Sequence, residues 1–84
     1  MKYAIVNQTN PRAMRLQSIG LVLGTPAGEI KEGDFLMWNW GYTSEILKIT
    51  KTSEKMIFVK IKCSDGSIID HKFNKKRLVC ILQK

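Results

Sequence analysis

The sequence is poor in the residues that do chemistry. One histidine, two cysteines and seven acidic side chains are spread over 84 positions. Cys63 and Cys80 lack the C-x-x-C spacing that sets two thiolates on one turn, so zinc held with His71 is not expected. His71 adjoins Asp70, but adjacent residues of a strand point to opposite faces, which keeps the two side chains from forming a dyad. There is no glycine-rich phosphate loop, no nucleophile elbow and no pair of carboxylates at catalytic spacing. These absences predict a protein that is not an enzyme and carries no cofactor.

Long apolar runs are missing too. Nothing approaches the roughly 18 residues of a membrane span, and the apolar patch in the opening "MKYAIVNQTNPR" is too brief for a secretory core. The expectation is a cytoplasmic protein with no membrane partner, its two cysteines reduced and used as small apolar side chains. No repeat, low-complexity tract or linker-like break divides the chain, so 1–84 reads as one domain. With 44% hydrophobic and 25% charged residues it is composed as a folded protein and not as a disordered one.

What the chain does have is positive charge, unevenly placed. Fourteen Lys and Arg against seven Asp and Glu give +7. Through Tyr42 there are four basic and three acidic residues; from Thr43 onward there are ten and four. A polyanion is the first partner this suggests, because neutralising phosphates releases counterions. The competing reading is that lysines keep a small β-protein soluble and guard its sheet edges.

Punctuation divides the first third. In "NPRAMRLQSIG" Asn10 stands as a cap, Pro11 at a first helical position and Gly20 at a C-terminal cap, which predicts a short helix or an irregular segment. "LVLG" follows as a strand and "TPAGEIKEGD" as a turn, so 1–25 forms a segment packing on or beside the remainder. From Phe35 the pattern is β, with strands over Phe35–Trp40, Glu45–Thr50, Met56–Cys63, Ser67–Phe73 and Leu78–Leu82. Asp65-Gly66 predicts a tight primed hairpin. Ile57, Val59, Ile61 and Cys63 share one face of their strand; Met56, Phe58, Lys60 and Lys62 share the other. Trp38 and Trp40 fall on one face with Leu36 and read chiefly as core, while Gly41 re-aims the chain and frees Tyr42.

The string Ile30-Lys31-Glu32-Gly33-Asp34 resembles the I/L-K-x-G-D lead into the first strand of many small β-barrels. Together with five short antiparallel strands over 29–82, the pattern resembles a Src-homology-3-like barrel. In those barrels the aliphatic residue plugs one end while Gly and Asp make the turn. Such barrels bind RNA, DNA, proline-rich peptides, methylated side chains and other proteins, so the resemblance implies a binding module and leaves its ligand open. The stretch "FLMWNWGYTSEILKI" is also similar in phrasing to uncharacterised small bacteriophage proteins, with no functional residue carried over.

Nucleic-acid-binding barrels set stacking rings beside lysines, since every base has a π-face and every nucleotide a charge. On that ground Lys48, Lys60, Lys62, Lys75, Lys76 and Arg77 are the candidate phosphate contacts, and Phe58 and Tyr42 the candidate stacking rings. The alternative is a protein-interaction module, such as a phage-encoded accessory protein or inhibitor of a host complex, with the N-terminal segment and the Trp-Tyr stretch as its interface. An aromatic pocket for a small ligand is a third reading. A homo-oligomer that completes its sheet across a subunit boundary is open as well.

Overall fold

In strand 56–63 every second residue is a branched aliphatic, and burial follows that period: Ile57, Val59 and Ile61 are buried while Lys60 and Lys62 are exposed. This alternation recurs through a computed structural model that describes residues 2–83. The strands are β1 (Ala13–Leu16), β2 (Gly20–Leu23), β3 (Thr25–Pro26), β4 (Phe35–Met37), β5 (Thr43–Thr52), β6 (Met56–Cys63), β7 (Ile68–Asn74) and β8 (Leu78–Ile81). One 3-10 turn, Ala27–Glu29, separates β3 from β4. All pairings are antiparallel.

β1 and β2 form a hairpin of their own; the other six strands form one sheet in the order β3-β8-β4-β5-β6-β7. Strands β4 to β7 are a meander, and β8 returns to lie beside β4. The expected closed five-stranded barrel is therefore corrected to an open sheet. The short β3 occupies the far side of β8, and among the described residues β7 has β6 as its one sheet neighbour.

The expected short helix or irregular segment over 10–20 is corrected as well, to a β-hairpin. Asn10 does not cap a helix: its Oδ1 accepts from the Arg12 N–H at 2.8 Å, closing a local turn. Two helical turns would be marginal on their own. Pairing Ala13–Leu16 with Gly20–Leu23 instead satisfies the backbone and buries Leu16 and Val22. These two join Met37, Cys80 and Leu82 in a small core between the hairpin and the sheet. The larger core lies on the inner side of the sheet, where Ile30, Leu36, Ile46, Ile57, Val59, Ile61, Phe73 and Val79 pack together.

Two hairpins share one design. The Gly41 N–H donates to Trp38 C=O and the Trp38 N–H to Tyr42 C=O, at 3.0 and 2.8 Å; Gly66, Cys63 and Ser67 repeat the pattern at 2.9 and 2.7 Å. Both glycines have positive φ, 86° and 90°, which lets a three-residue loop close with a bulge. The Asp65-Gly66 hairpin is thus one residue longer than the tight primed turn expected. The first of these turns also ends β4 at Met37, so the expected strand Phe35–Trp40 is too long. Trp40 sits on the turn, 69% exposed, which overturns its reading as core.

The I-K-x-G-D string makes the expected turn, but with the sheet open Ile30 joins the sheet's core and plugs no barrel end. Ile30 is buried, Gly33 has φ 92°, and Asp34 Oδ2 accepts from the Lys31 N–H at 2.8 Å. In β5 the register with β6 slips between Ile46 and Lys48 and again between Ile49 and Lys51, leaving Leu47 and Thr50 as extra residues that bend the strand. The chain ends meet: Lys2 and Gln83 exchange both backbone hydrogen bonds, at 2.6 and 2.7 Å.

Candidate nucleic-acid interface

Cross-strand partners in an antiparallel sheet point to the same side, so register assigns the outer face of β5, β6 and β7. Lys48 lies opposite Lys60, which lies opposite Asp70; Lys51 lies opposite Phe58, which lies opposite Lys72; Glu45 lies opposite Lys62, which lies opposite Ile68. Five lysines meet two carboxylates on this surface. The bulges in β5 are what bring Lys48 and Lys51 to it, since each extra residue restores the outward phase. Lys60 Nζ is 3.8 Å from Asp70 Oδ1, an exposed pair that contributes little to stability and leaves the face net positive.

The Phe58 ring is the aromatic centre of this surface. It is half-buried, and Lys51 Nζ sits 5.8 Å from its centroid. An open depression of about 760 Å3 is lined by Phe58, Lys60, Asp70 and Lys72 of the outer face together with Thr50, Arg77 and the inner-side residues Val59 and His71. Three of the residues expected from the sequence, Phe58, Lys60 and Arg77, thus come together. Lys48 and Lys62 share the face but do not line the depression. Lys51 and Lys72 were left out of the candidate contacts, although pairing across the hairpins sets both opposite Phe58.

The triplet at the β7–β8 turn is split. Lys75 lies over Gly28, whose backbone N–H donates to the Lys75 C=O at 3.1 Å, so its stem is partly covered. Lys76 is exposed, and the Asn74 Oδ1 accepts from its N–H at 2.9 Å. Arg77 lies against the ring of Phe73, 5.7 Å from guanidinium carbon to centroid. Asn74 therefore sets the turn that sends the three basic side chains in different directions.

Tyr42 lies apart from Phe58. It lines a second open groove, about 480 Å3, with Trp38, Ile61, Cys63, Ile69 and His71 on the inner side of the sheet. Trp38 is half-buried there; its Nε1–H donates to Ser44 Oγ at 2.7 Å, and Ser44 is the one buried polar residue among those described. The Trp38 ring stacks on Phe73 at 6.0 Å and meets His71 edge-on at 5.5 Å. Burial, and then the nearby Arg77 charge, hold the His71 imidazole below its ordinary value. Tyr42, at 64% exposed, and Ile69, at 45%, leave an apolar rim around this groove.

Cys63 and Cys80 are both free thiols, and burial pushes the Cys80 thiol up, away from reactivity. Among the described residues no three of His, Cys, Asp and Glu gather as a metal site would need, and no helix is long and apolar enough to cross a membrane. Comparison of the chain with protein-family models, curated protein sequences and solved structures finds no match. The resemblances to Src-homology-3-like barrels and to phage proteins rest on the residues that suggested them.

Proposed function

We propose that this chain is a non-enzymatic module that binds single-stranded nucleic acid across the outer face of β5, β6 and β7. The observation that carries the reading is the shared depression, where an accessible aromatic ring, Phe58, stands beside Lys60, Lys72 and Arg77. A base stacks on the ring and the flanking phosphates meet the cations, a division of labour that tolerates any sequence. Lys48, Lys51 and Lys62 extend the positive surface along the strands. We read the fold as an opened relative of the Src-homology-3 type, a four-stranded meander with a fifth strand returning beside the first.

A second reading is a protein-interaction module, favoured by the exposed ring of Tyr42 in one groove with Ile69 and by the exposed Trp40 on the preceding turn. His71 lines both hollows, but Lys60 belongs only to the first and Tyr42 only to the second, which makes the two readings separable. Anisotropy of a labelled oligonucleotide of about eight nucleotides, titrated with the protein at about 50 mM salt and above, is the test. Binding is expected to weaken with salt by a log–log slope of about −0.7 per phosphate contacted. Lys60→Glu and Arg77→Glu each weaken it about tenfold, while Tyr42→Ala leaves it unchanged. No binding at low salt, or binding lost only with Tyr42→Ala, overturns the nucleic-acid reading.

A further inference from the structure

The two ends of the six-stranded sheet differ. At one end β3 is two residues long, and the second, Pro26, has no N–H to donate, so that edge offers almost no ladder. At the other end β7 runs seven residues and pairs only with β6. Its hydrogen-bonding parity is fixed at both ends: the Ser67 C=O accepts from Cys63 N–H at 2.7 Å, and the Lys75 N–H donates to Lys55 C=O at 2.8 Å. The β6–β7 register between them is unbroken. Odd-numbered residues therefore spend their backbone groups on β6, and those of Ile68, Asp70 and Lys72 point out from the edge. The Asn74 N–H points out as well, while its C=O accepts from Arg77 N–H at 3.0 Å.

We infer that this edge docks a second copy of the chain, β7 against β7, antiparallel and centred on His71. Only registers that set even-numbered residues opposite even-numbered ones use the outward groups. Centring on Asp70 sets each carboxylate against its own copy, and centring on Lys72 does the same with ammonium groups, both unfavourable. Centring on Ile69 or Phe73 leaves part of the strand without a partner. Centring on His71 pairs the whole of Ile68–Asn74 and sets Asp70 of each copy opposite Lys72 of the other. Asp70 is well placed for this, with its side chain 82% exposed. The same register lays Ile69 against Phe73 of the second copy and covers Ile68, which are 45% and 57% exposed in the single chain. Because the far end of each sheet is blocked by β3, the pairing closes as a two-fold dimer and does not propagate.

The test is the oligomeric state of the full chain by analytical ultracentrifugation, over a concentration series reaching about 1 mM at low salt. A species of twice the 9.6 kDa chain mass is expected. Asp70→Lys and Lys72→Asp each set like charges opposite one another at two places and weaken the dimer about tenfold. The double variant Asp70→Lys/Lys72→Asp restores opposite charges and recovers it. Lys72→Asp leaves the Lys60–Asp70 pair within the chain intact, and an unchanged circular dichroism spectrum separates lost association from lost folding. A wild type that stays monomeric, a dimer indifferent to both single changes, or a double variant that fails to recover overturns the inference. The inference does not depend on nucleic-acid binding.

Discussion

Trp38 and Trp40 are two residues apart and have opposite roles. Trp38 satisfies the buried Ser44 hydroxyl and stacks on Phe73, whereas Trp40 projects from the turn. Trp38→Phe keeps an aromatic body but strands the Ser44 oxygen, a loss of about 1–3 kcal/mol. For a domain of this length each kcal/mol lowers the melting temperature by about 4–8 °C. Trp40→Phe is expected to stay within about 0.5 kcal/mol, so melts of the two variants check the assignment. His71 shares the Trp38 cluster, and its imidazole is held below the ordinary 6.5 by burial and Arg77. Between that lowered value and 6.5 the unfolded chain binds more protons than the folded one, so stability rises with pH through this window. Stability is fully present above 6.5 and is lost as pH falls through the folded value. Urea melts across this range are expected to show that slope in the wild type and a flatter one in His71→Gln.

Elements were legible where local pattern and tertiary need agree. β6 is the clearest: Ile57, Val59 and Ile61 alternate with Phe58, Lys60 and Lys62, and both its ends carry turn residues. The buried ends of Ile30 and the Gly33-Asp34 turn were readable for the same reason. The β1–β2 hairpin was not, because Ala13, Leu16 and Ile19 also fit a helical spacing. Only burial of Leu16 and Val22 against Met37 and Leu82 decides between the two. Gly41 announced a turn but not its length: the loop it closes starts at Asn39, so β4 stops short of Trp40. The candidate interface was legible in its types and only partly in its membership. Phe58, Lys60 and Lys62 follow from one strand, whereas Lys51 and Lys72 reach the face through two bulges and a neighbouring register. Arg77 joins them through the Asn74 turn, a placement that no periodicity encodes.

The whole molecule divides its two surfaces between different chemistries. The outer side of β5 to β7 is cationic with one ring at its centre, and the inner groove has an aromatic and aliphatic rim. His71 lines both hollows, whereas Lys60 lines only the first and Tyr42 only the second, which is what makes Lys60→Glu and Tyr42→Ala informative as a pair. The bridge between Lys2 and Gln83 has a different consequence. A backbone whose ends are held side by side is close to a ring, and a ring can be opened elsewhere. A short glycine-serine linker joining Gln83 to Lys2, with the chain reopened between Ser53 and Glu54 at the exposed tip of the β5–β6 hairpin, gives a circular permutant. It is expected to melt cooperatively, near the parent temperature, even though its first residues now belong to what was the middle of the sequence.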